Sequence, residues 1–398
     1  MAERVAHLRR QDEGAAEVRP IELFYDLVYV LAVTQLTRHL LADLTLRGAL
    51  ETAILLLAVW GAWNQIVWIT NYFDLDERKA RLALIGLMLA SLIMSSSLYG
   101  AFDNHGLGFA GALAASALGA QLFSIIGVGK HHQLTAVFAR VLTWQVASCT
   151  FLLIGAVATG DARIALWLLA LALWYGGTAM GFPVPLLGRN LTTDYTIAGA
   201  HMAQRSYLFV TIALGESILV IGSQFGELPH HTSTVIAFLI AFAGSVGFWW
   251  IYFDRSADAA IDVISASPDP GRLGLNAYTY FHIPIVAGII VAAAGYELAI
   301  AHPREHVQVA TACLIIGGPA LFLAGQMLFK RAVWGPIPLV RFAPFVAFAA
   351  LILIATASSV IVLLALATVV VVATAWWSSR TYSALGQSGS PSASDSIA

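Results

Sequence analysis

Apolar runs of about 20 residues, each long enough to cross a bilayer as a helix, follow one another along most of this chain. Lipid offers no hydrogen-bond partner to backbone N–H and C=O groups, so such runs are expected to fold as membrane-spanning helices. Hydrophobic residues make up 59% of the sequence and charged residues 11%, against roughly 25% charged residues in soluble domains. The sequence therefore predicts an all-α, polytopic transmembrane helix bundle.

About twelve spans are predicted, in two groups of six. They are 22–42, 49–70, 80–102, 107–128, 136–158, 163–182, 203–224, 233–253, 277–300, 306–328, 339–357 and 359–378. The first six form a half over 22–182 and the last six a half over 203–378, joined by a cytosolic linker over 183–202. Residues 1–21 form a cytosolic N-terminal segment, and the Ser-rich and Gly-rich tail, 379–398, is expected to be disordered.

The distribution of basic residues predicts the orientation of these spans. Twelve spans place seventeen of the 21 Lys and Arg residues on the side of both termini, and three in the opposite loops. Basic residues favour the cytosolic side, so we expect both termini in the cytosol. The net charge of −2 and the lack of a basic block argue against a nucleic-acid partner.

Similar segments recur in the two halves. "AVWGAWNQIVWITNYFD" parallels "AFAGSVGFWWIYFD", each closing a Trp-rich helix with Tyr-Phe-Asp, and "AQLFSIIGVGK" parallels "AGQMLFK". An even number of helices per repeat predicts two halves of the same topology, related by an axis along the membrane normal.

Costly ionisable side chains gather in the cytosolic third of the predicted spans. Glu22 and Asp26 occupy the first two turns of the first span, Arg205 and Glu216 share one face of the seventh, and His282 lies one turn into the ninth. Such residues normally face the bundle interior and pair with one another. We therefore expect cross-helix partners for Arg205 and Glu216, such as Asp26 or Glu22, around a polar vestibule open to the cytosol with Glu216 at its floor.

Each of these residues also has a purely structural interpretation. Glu22 and Asp26 are acids near a helix N-terminus, where the helix dipole favours them. His282 is compatible with a core histidine bonded to a backbone carbonyl. Asp74 and Asp254 are compatible with acids solvated at a helix end. The structural interpretation is weakest for Glu216, which lies near the middle of its span.

Five segments together resemble the bacterial low temperature requirement A (LtrA) family. They are "ELFYDLVYVLAV", "NYFDLDERKARL", "QRSYLFVTIALGESIL", "WWIYFD" and "YFHIPIVAGIIVAAAGYE". The resemblance implies a multi-pass protein of the bacterial cytoplasmic (inner) membrane, without a settled chemistry. The positions it carries over are Glu22, Asp26, Asp74, Arg205, Glu216, Asp254, His282 and Glu297. Gln204 and Glu77 depart from the expected pattern, and Glu77 puts the geometry of any metal-binding run in doubt.

The first functional hypothesis is an intramembrane enzyme acting on an isoprenoid or lipid with a phosphate-type head group, similar to prenyltransferases of the UbiA type. Carboxylates of the two halves would hold Mg²⁺, a hard cation that shares its site with substrate phosphates. These ligands are Asp74, Asp76, Asp254 and Asp258. The phosphate-binding residues are Arg78, Lys79, Arg81 and Arg255. The catalytic residues are Glu22, Asp26, Arg205, Glu216 and His282.

The second hypothesis is a proton- or cation-coupled secondary transporter of a small solute. A duplicated six-helix unit is a common transporter plan, with substrate bound at the repeat interface near the midplane. Glu216, Asp26 and His282 would relay protons, and Glu297 would mark the outer exit. A scaffold or sensor without turnover is a third possibility. The cytosolic clustering of the acids favours the enzyme slightly.

Overall fold

In the computed structural model the chain is all helical. The described residues are 18–130, 132–195, 197–253 and 256–388, with the backbone alone described for 256–258 and 380–388. The helices are α1 (Pro20–Ala42), α2 (Leu46–Tyr72), α3 (Arg78–Ser97), α4 (Gly106–Val128), α5 (Gln133–Val157), α6 (Gly160–Met180), α7 (Gly199–Glu227), α8 (Thr232–Phe253), α9 (Ser256–Ser265), α10 (Pro270–Leu273), α11 (His282–Ala301), α12 (Val309–Trp334), α13 (Ala343–Ile354) and α14 (Val360–Ser388). Within these ranges there is no strand, only two isolated β-bridges.

Membrane-length helices account for most of the described chain. Eleven segments from α2 onwards are long and apolar enough to span a bilayer; α10 and α11 count as one, Pro270–Ala301. The more polar α1 has 23 residues, or about 35 Å at 1.5 Å of rise per residue, so it is also long enough to cross. The multi-pass helix bundle is confirmed, with eleven of the twelve predicted spans found as long apolar helices, and the crossing of α1 stays a prediction.

Three features differ from the predicted spans. A π-helical segment, Gly274–Tyr280, joins α10 to α11, so this span begins before residue 277. The short helix α9 was not predicted; it packs against α7. The helix α14 continues to Ser388, so the first part of the tail expected to be disordered is helical. Residues 1–17 of the predicted N-terminal segment lie outside the described residues.

The helices of the two predicted halves have corresponding neighbours. In the first half, α1 packs on α2 and α3, and the order continues from α3 to α4, α5 and α6, which returns to α2. In the second half, α7 packs on α8 and α11, and the order continues from α11 to α12, α13 and α14, which returns to α8. A duplicated unit would have this pattern. The repeat and the cytosolic placement of both termini stay predictions.

Helices α1, α2 and α7 form the centre of the bundle. Helix α1 contacts α2, α3, α7 and α11. The most apolar window of α2 is 83% buried, whereas that of the segment Leu339–Ala357 is only 17% buried. Apolar area on the outer helices therefore faces lipid, and the polar residues of α1 are enclosed by protein.

Candidate functional site

The start of α1 holds the first of the buried acids. Pro20 is the first residue of α1. Its fixed φ suits a helix, and its missing N–H breaks no hydrogen bond because the first N–H groups of a helix have no partner within the helix. Glu22 follows in the first turn and accepts the backbone N–H of Arg19 at 3.0 Å through Oε2. This half of a capping box fixes the Glu22 carboxylate at the helix end, where it is 0% exposed.

Arg205 of α7 joins both acids of α1. Its Nη2 and Nε donate to the two carboxylate oxygens of Asp26 at 2.6 and 3.1 Å, and its Nη1 donates to Glu22 Oε1 at 2.7 Å. All three side chains are at most 1% exposed. This bidentate fork uses the planar geometry that distinguishes Arg from Lys. The predicted pairing of Arg205 with acids on another helix is confirmed.

His201, one turn before Arg205 on α7, completes the group. Its Nε2 lies 2.9 Å from Glu22 Oε1, and its Nδ1 lies 3.2 Å from Asn71 Nδ2. The Asn71 amide is oriented by Ala198, whose N–H donates to Oδ1 at 2.7 Å and whose carbonyl accepts from Nδ2 at 3.1 Å. Because Asn71 donates, His201 Nδ1 accepts, and the ring proton on Nε2 is donated to Glu22. In this arrangement His201 is a neutral imidazole.

We refer to Glu22, Asp26, His201 and Arg205 as the ion-pair network. With a neutral imidazole, two carboxylates and one guanidinium give these four residues a net charge of −1. The Trp63 indole donates to Asp26 Oδ1 at 2.8 Å. The acids thus converge on one another and on Arg205 in a closed cluster, not around an open vestibule; the predicted vestibule is wrong, because the bound guanidinium fills the space between the carboxylates.

Four buried rings separate this network from the rest of the α1–α7 contact. Phe209 lies 4.5 Å from Trp63, 5.2 Å from Trp60 and 6.0 Å from Tyr29, measured between ring centroids. All four side chains are at most 1% exposed. We call Tyr29, Trp60, Trp63 and Phe209 the aromatic layer. It lies between the ion-pair network and the later part of the α1–α7 contact.

Three hydroxyl groups meet beside this layer, on its α3 side. Tyr25 lies one turn before Tyr29 on α1, and their hydroxyl oxygens are 2.9 Å apart. Ser91 Oγ of α3 lies 3.0 Å from the Tyr25 hydroxyl and 3.3 Å from that of Tyr29. These three hydroxyls form a chain whose members can each donate and accept, beginning next to Asp26.

Glu216 lies on the far side of the aromatic layer. Its Oε2 accepts a hydrogen bond of 2.6 Å from Thr34 of α1, and the residue is 2% exposed. At 1.5 Å of rise per residue, Thr34 is about 18 Å beyond Glu22, so Glu216 is not the floor of a cluster with Glu22 and Asp26, as had been expected. The helices α1 and α7 run parallel, since contacts advance along both in the same order.

Two further charged residues interact with Glu216. Arg38, an exposed residue of α1, attracts its carboxylate, and Glu297 of α11 repels it. Glu297 is partly buried and also interacts with Arg38. We call Thr34, Arg38, Glu216 and Glu297 the Glu216 cluster. Its ionisable groups extend from the middle of the bundle towards the end of α1, away from the N-terminal side.

The predicted metal and phosphate residues fall into described and undescribed parts. Asp76 pairs with Arg19 at 3.1 Å and with Arg81 at 3.8 Å. Asp74 accepts the backbone N–H of Asp76 at 3.0 Å. Arg78, Lys79 and Arg81 are exposed at the start of α3. Asp254 and Arg255 lie outside the described residues, as does the side chain of Asp258. Within the described part, no group of three or more His, Cys, Asp or Glu residues could hold a metal ion.

His282 occupies a buried aromatic environment. Its Nδ1 donates to the Ala277 carbonyl at 2.8 Å, and its Nε2 accepts from the Tyr252 hydroxyl at 2.8 Å. The ring stacks on Trp60 and on Tyr278. Both nitrogens of a neutral imidazole are therefore satisfied, and these contacts match the structural interpretation of this histidine.

Comparison with known proteins agrees with the polytopic fold. The sequence profile of the bacterial low temperature requirement A protein (LtrA) family matches residues 17–376. An uncharacterized protein of Rhizobium meliloti (strain 1021) is 35% identical over 333 residues, which cover 83% of this chain and 81% of that protein. The chain belongs to the LtrA family. No solved structure matches this chain.

Three residues of the LtrA site were not singled out from the sequence. His201 and Asn71 belong to the ion-pair network and its support, and Thr34 holds Glu216. The spacing of His201 and Arg205, four residues apart on one helix face, is a signal that identifies His201 as a neighbour of Arg205. No comparable spacing marks Asn71 or Thr34, because their partners are on other helices.

Proposed function

We propose that this member of the LtrA family is a proton- or cation-coupled secondary transporter of a small solute in the bacterial cytoplasmic membrane. The observation that carries this proposal is the position of Glu216: a buried carboxylate near mid-depth, bonded across helices to Thr34 and separated from the ion-pair network by the aromatic layer. A membrane-embedded carboxylate is energetically costly and commonly marks an ion or proton pathway.

The contact between α1 and α7 supports this proposal. These helices begin the two predicted halves, and substrate sites of duplicated transporters lie at the interface between repeats. Charged residues lie on both sides of the aromatic layer, the ion-pair network towards the N-terminal side and the Glu216 cluster towards the opposite side. A transporter needs such a barrier between two accessible sides, together with a way to open it.

The proton path would combine Glu216 with the hydroxyl chain. Arg38 and Glu297 lead from Glu216 towards the opposite side, and Glu297 is the outer polar group that a transporter requires and an enzyme does not. The hydroxyls of Tyr29, Ser91 and Tyr25, which lie within 3.3 Å of one another beside the aromatic layer, would continue this path towards Asp26. Protonation of Glu216 would remove its charge and reverse its bond to Thr34: the carboxyl would donate to the Thr34 hydroxyl, which can donate to the Val30 carbonyl at 3.0 Å. Loss of the charge removes its attraction to Arg38, which favours movement of α1 against α7.

The intramembrane enzyme, with Mg²⁺ on the aspartates and a phosphate-bearing isoprenoid or lipid as substrate, stays a second prediction. Asp76 is already neutralised by Arg19 and Arg81, which weakens its case as a metal ligand. The equivalent residues of the second half, Asp254 and Asp258, are not described. The catalytic roles predicted for Glu22, Asp26, Arg205 and His282 need free polar atoms, and the buried pairing of these residues favours a structural role instead.

The test uses LtrA in proteoliposomes that contain a pH-sensitive dye. Solutes of different classes are added under an imposed proton gradient, and solute-dependent proton flux is recorded. We expect at least one class to give flux above that of empty liposomes, and Glu216→Gln to reduce it to the empty level. The control is Glu305→Gln, an exposed acid outside the proposed path. Wild-type flux in Glu216→Gln, or no solute-dependent proton or cation flux with any class, would contradict the proposal.

A further inference from the structure

A second region with buried polar side chains lies on the other face of α2. A partly open cavity of about 90 Å³ is enclosed by α2, α4, α5, α6 and the π-helical segment. Gln65, Trp68 and Tyr72 of α2 line it. At 100° per residue, Gln65 points about 200° away from Trp63, which faces the ion-pair network. The cavity is therefore separate from the α1–α7 contact.

Four buried oxygens without a hydrogen-bond partner belong to residues that line this cavity. They are Gln65 Oε1, Tyr72 Oη, Gln121 Oε1 and Gln145 Oε1, and the described chain has only two other buried side-chain atoms of this kind. The orientation of the Gln65 amide is fixed, because its Nε2 donates to the Ala117 carbonyl at 2.8 Å. A buried polar atom without a partner is destabilising. Four such atoms around one cavity indicate that a ligand supplies the missing hydrogen-bond partners.

The lining restricts the chemistry of that ligand. Among the described residues it includes no Asp, Glu, Lys, Arg or His, which favours an uncharged ligand. Burial raises the pKa of Tyr195, which keeps this lining phenol neutral. The amide oxygens accept hydrogen bonds, so the ligand carries donors. Trp68, Phe138 and Trp174 supply aromatic surface, which favours a flat ring.

The volume sets the size of the part that enters. A single water needs roughly 10–15 Å³, and an engineered cavity of about 150 Å³ holds benzene. The cavity of this protein is larger than a water site but smaller than the benzene-binding cavity, so a ring enters it in part, and the open side lets the rest of the molecule remain outside. One small ring with its substituents fits this space better than a chain of waters, because most of the wall is aromatic or aliphatic.

We propose that this cavity binds an uncharged aromatic ring bearing hydroxyl donors, either a free phenol or quinol or the quinol head of a lipid. Its hydroxyl groups donate hydrogen bonds to the amide oxygens of Gln121 and Gln145, with Gln65 beside them, and the aromatic side chains hold its faces. The site does not depend on the proposed transport: it concerns a different face of α2 and different side chains.

The experiment measures binding of hydroquinone to purified LtrA by isothermal titration calorimetry under reducing, anaerobic conditions. We expect saturable binding that weakens by about tenfold or more in Gln121→Leu and Gln145→Leu, the loss expected when a buried hydrogen bond is removed. The matched control is Gln326→Leu. Gln326 stands at the corresponding motif position of the second half, and its Nε2 is also buried without a partner, in a different cavity.

A second probe separates hydrogen bonding from simple filling of an apolar space. 1,4-Dimethoxybenzene has the same ring without hydroxyl donors, and we expect it to bind at least about tenfold more weakly than hydroquinone. Decyl-hydroquinone identifies the source: tighter binding than hydroquinone with the same sensitivity to Gln145→Leu indicates a lipid head, and equal or weaker binding indicates a free aromatic compound.

Folding of the variants is checked independently. Replacing an unpaired buried amide by Leu is expected to maintain or raise the unfolding temperature of ligand-free LtrA, so lost binding does not reflect lost structure. The proposal is overturned if hydroquinone shows no saturable binding to wild-type LtrA, if dimethoxybenzene binds equally well, or if Gln326→Leu weakens binding as much as Gln145→Leu.

Discussion

Arg205 connects α7 to α1 more directly than any hydrophobic contact between them, because its guanidinium holds two buried carboxylates at once. Burying charges is expensive, and the attraction between them offsets this cost only when their geometry is good and their remaining hydrogen bonds are satisfied. Both conditions hold here: Asp26 also receives the Trp63 indole, and Glu22 receives the Arg19 N–H and His201.

Removing Arg205 alone should therefore destabilise LtrA strongly. Arg205→Met leaves Glu22 and Asp26 buried without a cation, and breaking a buried pair in this way typically costs about 3–5 kcal/mol. We expect a large fall in the unfolding temperature of the detergent-solubilised protein, followed by tryptophan fluorescence or by loss of the monodisperse peak.

A compensating variant distinguishes lost pairing from lost packing. In Arg205→Met combined with Glu22→Gln and Asp26→Asn no charge is left unpaired, so most of the stability should return. Unchanged stability in the single variant would contradict the role assigned to the ion-pair network. No recovery in the triple variant would instead assign the defect to the shape of the arginine side chain.

Residue type and predicted depth in the membrane identified the charged residues of this network. They did not predict that these residues form a closed, buried cluster. Glu22, Asp26 and Arg205 were expected together because parallel helices place them at the same level. Glu216 was expected with them and lies elsewhere, because Thr34 on the next part of α1 offers it a closer partner. Which residue of α1 lies next to Glu216 depends on how α1 packs against α7. The sequence of either helix alone does not determine this packing.

The helix pair α11 and α12 illustrates how an element packs when its surroundings are lipid. Small residues let two helix backbones approach closely, which replaces the hydrophobic driving force that lipid removes. A Cβ added at Gly288 would lie 2.3 Å from the Phe322 nitrogen, and one added at Gly318 would lie 2.5 Å from the Ala292 nitrogen. At neither glycine does the facing backbone leave room for a side chain.

Adjacent glycines of α12 give a direct test of this packing. Gly318→Leu should separate α11 from α12 and prevent folding. An enlarged core side chain typically destabilises a protein by about 1–3 kcal/mol, and the cost is higher here because the leucine would clash with the backbone of α11. Gly317→Leu should be tolerated, because nothing lies within 4 Å of its added Cβ. The measurement is the yield of monodisperse protein; equal yields from the two variants would contradict the close contact.

Span positions were predictable at this scale, and local departures from the α-helix were not. Apolar runs mark spans because lipid requires them. The π-helical segment depends on partners far away in sequence: the Trp60 indole donates to the Thr279 carbonyl at 2.7 Å, and the Trp68 indole donates to its hydroxyl at 3.1 Å. The short helix α9 escaped prediction because it is too short to stand out as an apolar run.

Across the whole molecule, the two predicted halves each hold a cavity, and the linings of the two cavities differ in charge. The cavity of the first half lies among α2, α4, α5 and α6 and has an uncharged lining. A cavity of about 160 Å³ lies among α8, α12, α14 and the segment around α13, and its lining includes Lys330 and Arg341. Corresponding helices enclose both. Duplication followed by divergence of the lining would give one protein two sites of different chemistry.

The topology of the molecule rests on an even number of spans and on the basic residues. With twelve spans, a green fluorescent protein fused after the C-terminus should fluoresce, because it folds in the cytosol.

Single cysteines placed in a variant lacking Cys149 and Cys313 extend the test to both sides. Arg78→Cys lies at the exposed start of α3, and Glu305→Cys lies in the exposed loop after α11. A membrane-impermeant maleimide added to intact spheroplasts should label Glu305→Cys at once and Arg78→Cys only after lysis. The reverse labelling pattern with a dark fusion would contradict the predicted orientation. Labelling of both cysteines in intact spheroplasts would mean that one of the helices between them, from α3 to α11, does not cross the membrane.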